Sequence, residues 1–156
     1  MFEAFKSFVA DLADGNKPQS GFDDNDYRVA GAALLIHAAA IDGNFSDAER
    51  TRLHELLMQR FELDDAAADE LIAKATKVEQ EAVDVYHFTR LLNGTLDEPG
   101  RCRMVEMLWE IAYADGKVSD FEDNLIWRAA DLLGVSSRER IALRQHVAAA
   151  RGIDPP

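Results

Sequence analysis

Apolar residues recur along this chain at spacings of three and four, the period of an amphipathic helix, and no segment shows the strict alternation of a half-buried strand. Phe2, Phe5, Phe8, Val9 and Leu12 form the first such stripe, which predicts a short N-terminal helix or arm over residues 1–14, ended by Asp14-Gly15. Turn formers and acids fill residues 15–25, as expected of a linker. From Asp26 the pattern predicts helices over about 26–41, 46–61, 64–81, 84–94, 98–114, 119–133 and 136–151. Ser46, Asp64, Asp84, Ser119 and Ser136 suit N-caps, whose side-chain oxygens accept orphan amide protons; Gly43, Gly94, Gly116 and Gly134 suit left-handed C-terminal positions. The reading is therefore all-α: a single bundle of seven to eight helices, its main domain spanning residues 26–152.

Two of these stripes define inward faces. Leu53, Leu56, Leu57, Phe61 and Leu63 supply one; Ile126, Ala129, Ala130, Leu133 and Val135 supply the other. Val29 to Ile41 is nearly all apolar, interrupted by His37, and at thirteen residues it falls well short of the roughly 20 that span a bilayer. A buried helix is expected there.

The chain also repeats itself. Ala40-Ile41-Asp42-Gly43-Asn44-Phe45-Ser46-Asp47-Ala48-Glu49 aligns with Ala114-Asp115-Gly116-Lys117-Val118-Ser119-Asp120-Phe121-Glu122 at an offset of 73. Leu34-Leu35 and Met107-Leu108 precede the two copies, and Phe61 to Asp65 matches Leu133 to Ser137 after a one-residue slip. Two copies are too few to stack as a solenoid, so the expectation is a duplicated helix-loop-helix whose halves pack face to face about a pseudo-twofold axis.

Composition narrows the function. The chain has 156 residues, 47% of them apolar, and 17 basic against 29 acidic side chains leave a net charge of −12. That sign repels phosphate backbones, so no nucleic-acid partner is expected, and it favours cations and basic proteins. The lone Cys102 permits neither an internal disulfide nor a Cys-x-x-Cys site, and the N-terminal residues lack the pattern of a signal peptide; a cytoplasmic location is expected. Charge is uneven: residues 42–70 hold nine acids and three arginines, whereas the last helix carries Arg138, Arg140, Arg144 and Arg151 against Glu139.

The repeated motif has a structural and a chemical reading. Ser46 with Glu49, and Ser119 with Glu122, fit the Ser-x-x-Glu capping box, with Phe45 and Val118 placed as hydrophobic staples. Asp42 and Asp115 are different, because each sits at the partially negative end of an apolar helix, where an anion costs about 0.3–1 kcal/mol. A bound cation taking carboxylate and carbonyl oxygens together is one way to offset that cost, and a pseudo-twofold axis joining the loops would gather Asp42, Glu49, Asp115 and Glu122 around one point. His37 and Glu110, each five residues before its aspartate, are candidates to support such a site from behind. The loops are not EF-hands, since positions 1 and 3 would be Ala38 and Ala40 in one copy and Ile111 and Tyr113 in the other.

Other chemistry is poorly represented. His54-Glu55 begins the zinc-protease pattern His-Glu-x-x-His, but Met58 stands where the second histidine belongs. No phosphate-cradling glycine loop or nucleophile elbow is present. Arg101 and Arg103 flank Cys102 and would lower its pKa if they faced it; an inert, half-buried thiol is the simpler expectation. No catalytic residues are assigned, and the protein is expected not to be an enzyme.

The paired turns, each followed by a Ser-x-x-Glu helix, together with Trp-Glu-Ile-Ala-Tyr-Ala-Asp-Gly-Lys-Val-Ser and Ala-Ala-Asp-Leu-Leu-Gly-Val-Ser, resemble the TerB (tellurite-resistance B) family over residues 27–145. TerB-like domains also occur in DjlA-type co-chaperones. The resemblance implies an all-helical bundle, a stress-response role exercised through protein partners, and a metal centre at Asp42, Glu49, Asp115 and Glu122. Oxygen ligands of that kind suit a hard cation: calcium, magnesium or manganese. Ile41 departs from the commoner Ala-Asp-Gly, a change of packing rather than charge. The alternative is a metal-free acidic scaffold for protein interactions, with any membrane association indirect or made through the N-terminal arm. Direct capture of the tellurite anion by a chain of this charge is disfavoured electrostatically.

Overall fold

Almost every helix begins where a short polar side chain can serve a backbone amide. In the computed structural model, which describes residues 22, 26–41, 43, 45–82 and 84–153, there are seven helices and no strand among the described residues. They are α1 (Tyr27–Ala40), α2 (Asp47–Arg60), α3 (Asp65–Glu81), α4 (Tyr86–Thr95), α5 (Glu98–Ala112), α6 (Asp120–Leu132) and α7 (Ser137–Ala150). The expected arm over 1–14 and, Phe22 apart, the linker over 15–25 lie outside the described residues. Asp26, Ser46, Asp64, Asp97, Ser119 and Ser136 are the N-caps of six helices, each accepting a first-turn amide proton. For α4 the cap position falls to Val85, while Asp84 Oδ1 accepts from Tyr86 N at 2.8 Å.

Helix ends follow the sequence with one correction. Gly134 takes φ 73° and lets Val135 N reach back to Ala130 O at 2.9 Å, closing a Schellman turn. The matching turn after α2 is built on Glu62, at φ 55°, with Leu63 N bonded to Met58 O at 3.0 Å. Gly94, expected as a left-handed terminator, instead lies inside α4. That helix runs on to Thr95 and ends in extended Leu96, which leads straight to the N-cap Asp97, so no left-handed residue is needed.

Helix α1 is the central rod. Every residue from Val29 to Ala39 is buried except His37, which is half-buried, in agreement with the apolar run that His37 interrupts. It packs against α3, α4 and α5, and also meets α2 and α6. Leu34 and Leu35 are fully enclosed, each contributing about 1.5–3 kcal/mol by leaving water. Both inward faces read from the sequence are found: Leu53, Leu56, Leu57 and Leu63 are buried with Phe61 packed beside them, as are Ile126, Ala129, Ala130, Leu133 and Val135.

The packing maps onto itself when the halves α1–α2–α3 and α5–α6–α7 are exchanged. Within each half all three pairs touch; between halves α1 meets α5, while α2–α5 and α6–α1 are counterparts. Only α4 breaks the pattern, resting on α1 and α6. An arginine fastens the second half: Arg144 lies 4.9 Å from the Trp109 ring centre and donates to Tyr113 Oη and Asp123 Oδ1, both at 2.9 Å. Trp109 Nε1 donates to Arg140 O at 3.2 Å, so both buried aromatics have partners for their polar tips.

Candidate metal centre

Each repeated hairpin makes the same turn before the same capping box. Gly43 N donates to Ala40 O and Gly116 N to Tyr113 O, both at 2.9 Å, and the two glycines adopt φ 78° and 97°. Such left-handed backbone suits glycine because no Cβ meets the following carbonyl. Phe45 and Val118 then pack on the core at the staple positions, and the guanidinium of Arg50 covers the Phe45 ring at 4.6 Å.

Two glutamates at equivalent positions are buried. Ser46 N donates to Glu49 Oε1 at 3.0 Å while Glu49 N donates to Ser46 Oγ at 3.1 Å, and the same distances hold for Ser119 and Glu122. Glu49 and Glu122 each retain only 3% of their surface, an unusual depth for a carboxylate. The helix N-termini behind them favour negative charge, and the capping boxes explain where the two side chains point.

The aspartates are placed less fully. Asp42 lies outside the described residues. Asp115 is exposed, and its Oδ1 accepts from Lys117 N at 3.4 Å. Its neighbour Ala114 lines a shallow cleft with Asp47, Ala48, Thr51 and Arg52 of α2, and Arg151 Nη2 donates to Ala114 O at 3.2 Å. The second hairpin therefore lies against the first turns of the helix that follows the first.

His37 and Glu110 turn to other partners. His37 Nδ1 lies 3.0 Å from Glu79 Oε1 of α3. Glu110 is buried and receives Arg52, whose Nε is 3.0 Å from Glu110 Oε2 and whose terminal nitrogen also donates to that oxygen. Partial burial works against the Arg52 charge, yet the bonds and charges of Glu110 and then Glu55 outweigh it and raise the guanidinium pKa above its ordinary value. The flanking arginines do not activate Cys102: burial, then a hydrogen bond to Glu139 at 3.3 Å, push its thiol up to about 11.

The acids of the two turns offer only oxygen, and two of these carboxylates are held by their caps under the surface; among the described residues Glu49, Asp115 and Glu122 do not form a group of three close enough to share an ion. Such groups fit a hard divalent ion by ligand chemistry, and supply nothing a soft ion prefers.

An all-helical bundle made of two equivalent halves, each opening its second helix with an acid-bearing turn and a capping box, defines a narrow class of small acidic modules. The chain belongs to the TerB family, since the family model described as tellurite resistance protein TerB matches residues 28–145. No curated protein and no solved structure matches it. No helix among the described residues is long and apolar enough to cross a membrane.

Proposed function

We propose that this chain is a non-enzymatic module that binds a hard divalent cation and acts through protein partners in a stress response of the tellurite-resistance type. The observation that carries the reading is the pair of glutamates, Glu49 and Glu122, buried to 3% exposure at equivalent helix starts after the two acid-bearing turns, in a chain of the TerB family. Asp42, Glu49, Asp115 and Glu122 would hold the ion, which neutralises carboxylates and ties the two halves together; calcium, magnesium and manganese are the candidates. Titration calorimetry with each ion tests it. Binding by the wild type that weakens tenfold or more in Asp42→Asn/Asp115→Asn supports the centre; equal binding in both, or none in either, ends it.

A metal-free interaction scaffold is the second reading, favoured by the large apolar side chains Phe121, Trp127 and Ile141, which stand exposed on α6 and α7. Melting that EDTA leaves unchanged, together with a partner lost on Trp127→Ala, would support it over the cation module.

A further inference from the structure

One constellation on α2 and α3 belongs to neither the acid turns nor the core. His54, midway along α2, aims its imidazole at two carboxylates one turn apart on α3: Nε2 is 3.0 Å from Asp65 Oδ1 and 3.1 Å from Asp69 Oδ1. The three ligand atoms lie within 4.8 Å of one another. His54 is largely covered while both aspartates are exposed, so the cluster opens to solvent on one side.

Repeat symmetry does not require this arrangement. Aligned on their N-caps, the equivalent positions in α6 and α7 carry Trp127, Ser137 and Ile141, and the same helical hairpin forms there. The set is therefore peculiar to the first half. Among the described residues no lysine or arginine pairs with Asp65 or Asp69, so the imidazole alone faces two negative charges.

The spacing suits a small metal ion. Bond lengths of about 2.0–2.2 Å to nitrogen and oxygen set neighbouring ligand atoms roughly 2.8–3.6 Å apart in octahedral or tetrahedral geometry, and both His54 separations fall in that range. We propose that His54, Asp65 and Asp69 form a separate cation site for a borderline transition-metal dication such as zinc, with water completing the shell. An imidazole ligand distinguishes it from a site for calcium or magnesium, which take oxygen. The ion would sit between Nε2 and the carboxylates, and would bridge α2 to α3.

The site is independent of the proposed centre at the acid turns, and its test keeps the two apart. The full chain is titrated with zinc by calorimetry in excess calcium, as wild type and as His54→Gln, Asp69→Asn, His37→Gln and Asp42→Asn/Asp115→Asn. One zinc is expected to bind the wild type, with affinity falling about tenfold or more in His54→Gln and Asp69→Asn and unchanged in the other two. No zinc binding by the wild type, binding that His54→Gln and Asp69→Asn leave intact, or loss in His37→Gln or the double variant instead would overturn the site. Nitrogen NMR of the wild type gives a readout free of mutation: zinc should shift the His54 Nε2 resonance, and a resonance that stays put refutes ligation.

Discussion

Arg52 and Glu110 join the two halves of the molecule: the Arg52 Nε sits 3.0 Å from Glu110 Oε2, linking α2 of the first repeat to α5 of the second across 58 residues of chain. The repeat mates of these residues, Leu125 and His37, cannot form such a pair, so the bridge is a departure from the duplicated pattern.

Arg52→Ala should therefore destabilise the fold by about 1–3 kcal/mol, because it strands a buried carboxylate. Replacing both partners, as in Arg52→Met/Glu110→Leu, should recover much of that loss, since no charge then remains uncompensated. Urea denaturation of the three proteins measures it; equal loss in the single and double variants would deny the coupling.

The capping boxes give a second prediction. Ser46→Ala and Ser119→Ala should each cost about 1 kcal/mol, while Ser→Gly at either position costs only a few tenths. Glu49→Gln and Glu122→Gln preserve an acceptor for the N-cap amide, so they should lower stability less than serine removal does in metal-free buffer. Melting midpoints in EDTA distinguish capping from cation binding.

Backbone conformation separates the matching Schellman turns. Glu62 holds φ 55° where its mate Gly134 holds 73°, and a residue with a Cβ pays roughly 1 kcal/mol to stay there. Glu62→Gly should raise stability by up to about 1 kcal/mol and Gly134→Ala should lower it by a similar amount, since the space around Gly134 is open and only its dihedral resists the change. Opposite signs in thermal melts are the check.

Cys102 should be a slow thiol. With its pKa pushed from 9.0 to about 11, the thiolate fraction near pH 8 is about a hundredfold below that of an unshifted thiol, and alkylation should slow accordingly. The raised value means that the folded protein holds this proton in a range where the unfolded chain has released it, so stability should fall as pH rises from about 9 to about 11. Glu139→Gln removes a like charge and should speed labelling. Labelling at the rate of the unfolded chain would contradict the assignment.

The local devices of this fold were legible because they are written in neighbouring residues. Ser46 with Glu49 and Ser119 with Glu122 form the boxes their spacing announces, the apolar run from Val29 gives a buried helix, and the turns at Gly43 and Gly116 repeat as their residues do. Gly94 was misleading for a related reason: a glycine that can end a helix need not, and the extended Leu96-Asp97 junction set the boundary instead.

Sequence by itself determined the helices, their caps and the duplication, since each depends on contacts within a few residues and on a periodicity that survives without knowledge of the partner surface. Tertiary structure alone decided that Glu110 receives Arg52, that His37 meets Glu79, that Glu139 burdens Cys102, and that His54 converges on Asp65 and Asp69. Those pairings depend on which faces two helices turn toward each other, and that is fixed by packing of the whole core rather than by the spacing of any one segment.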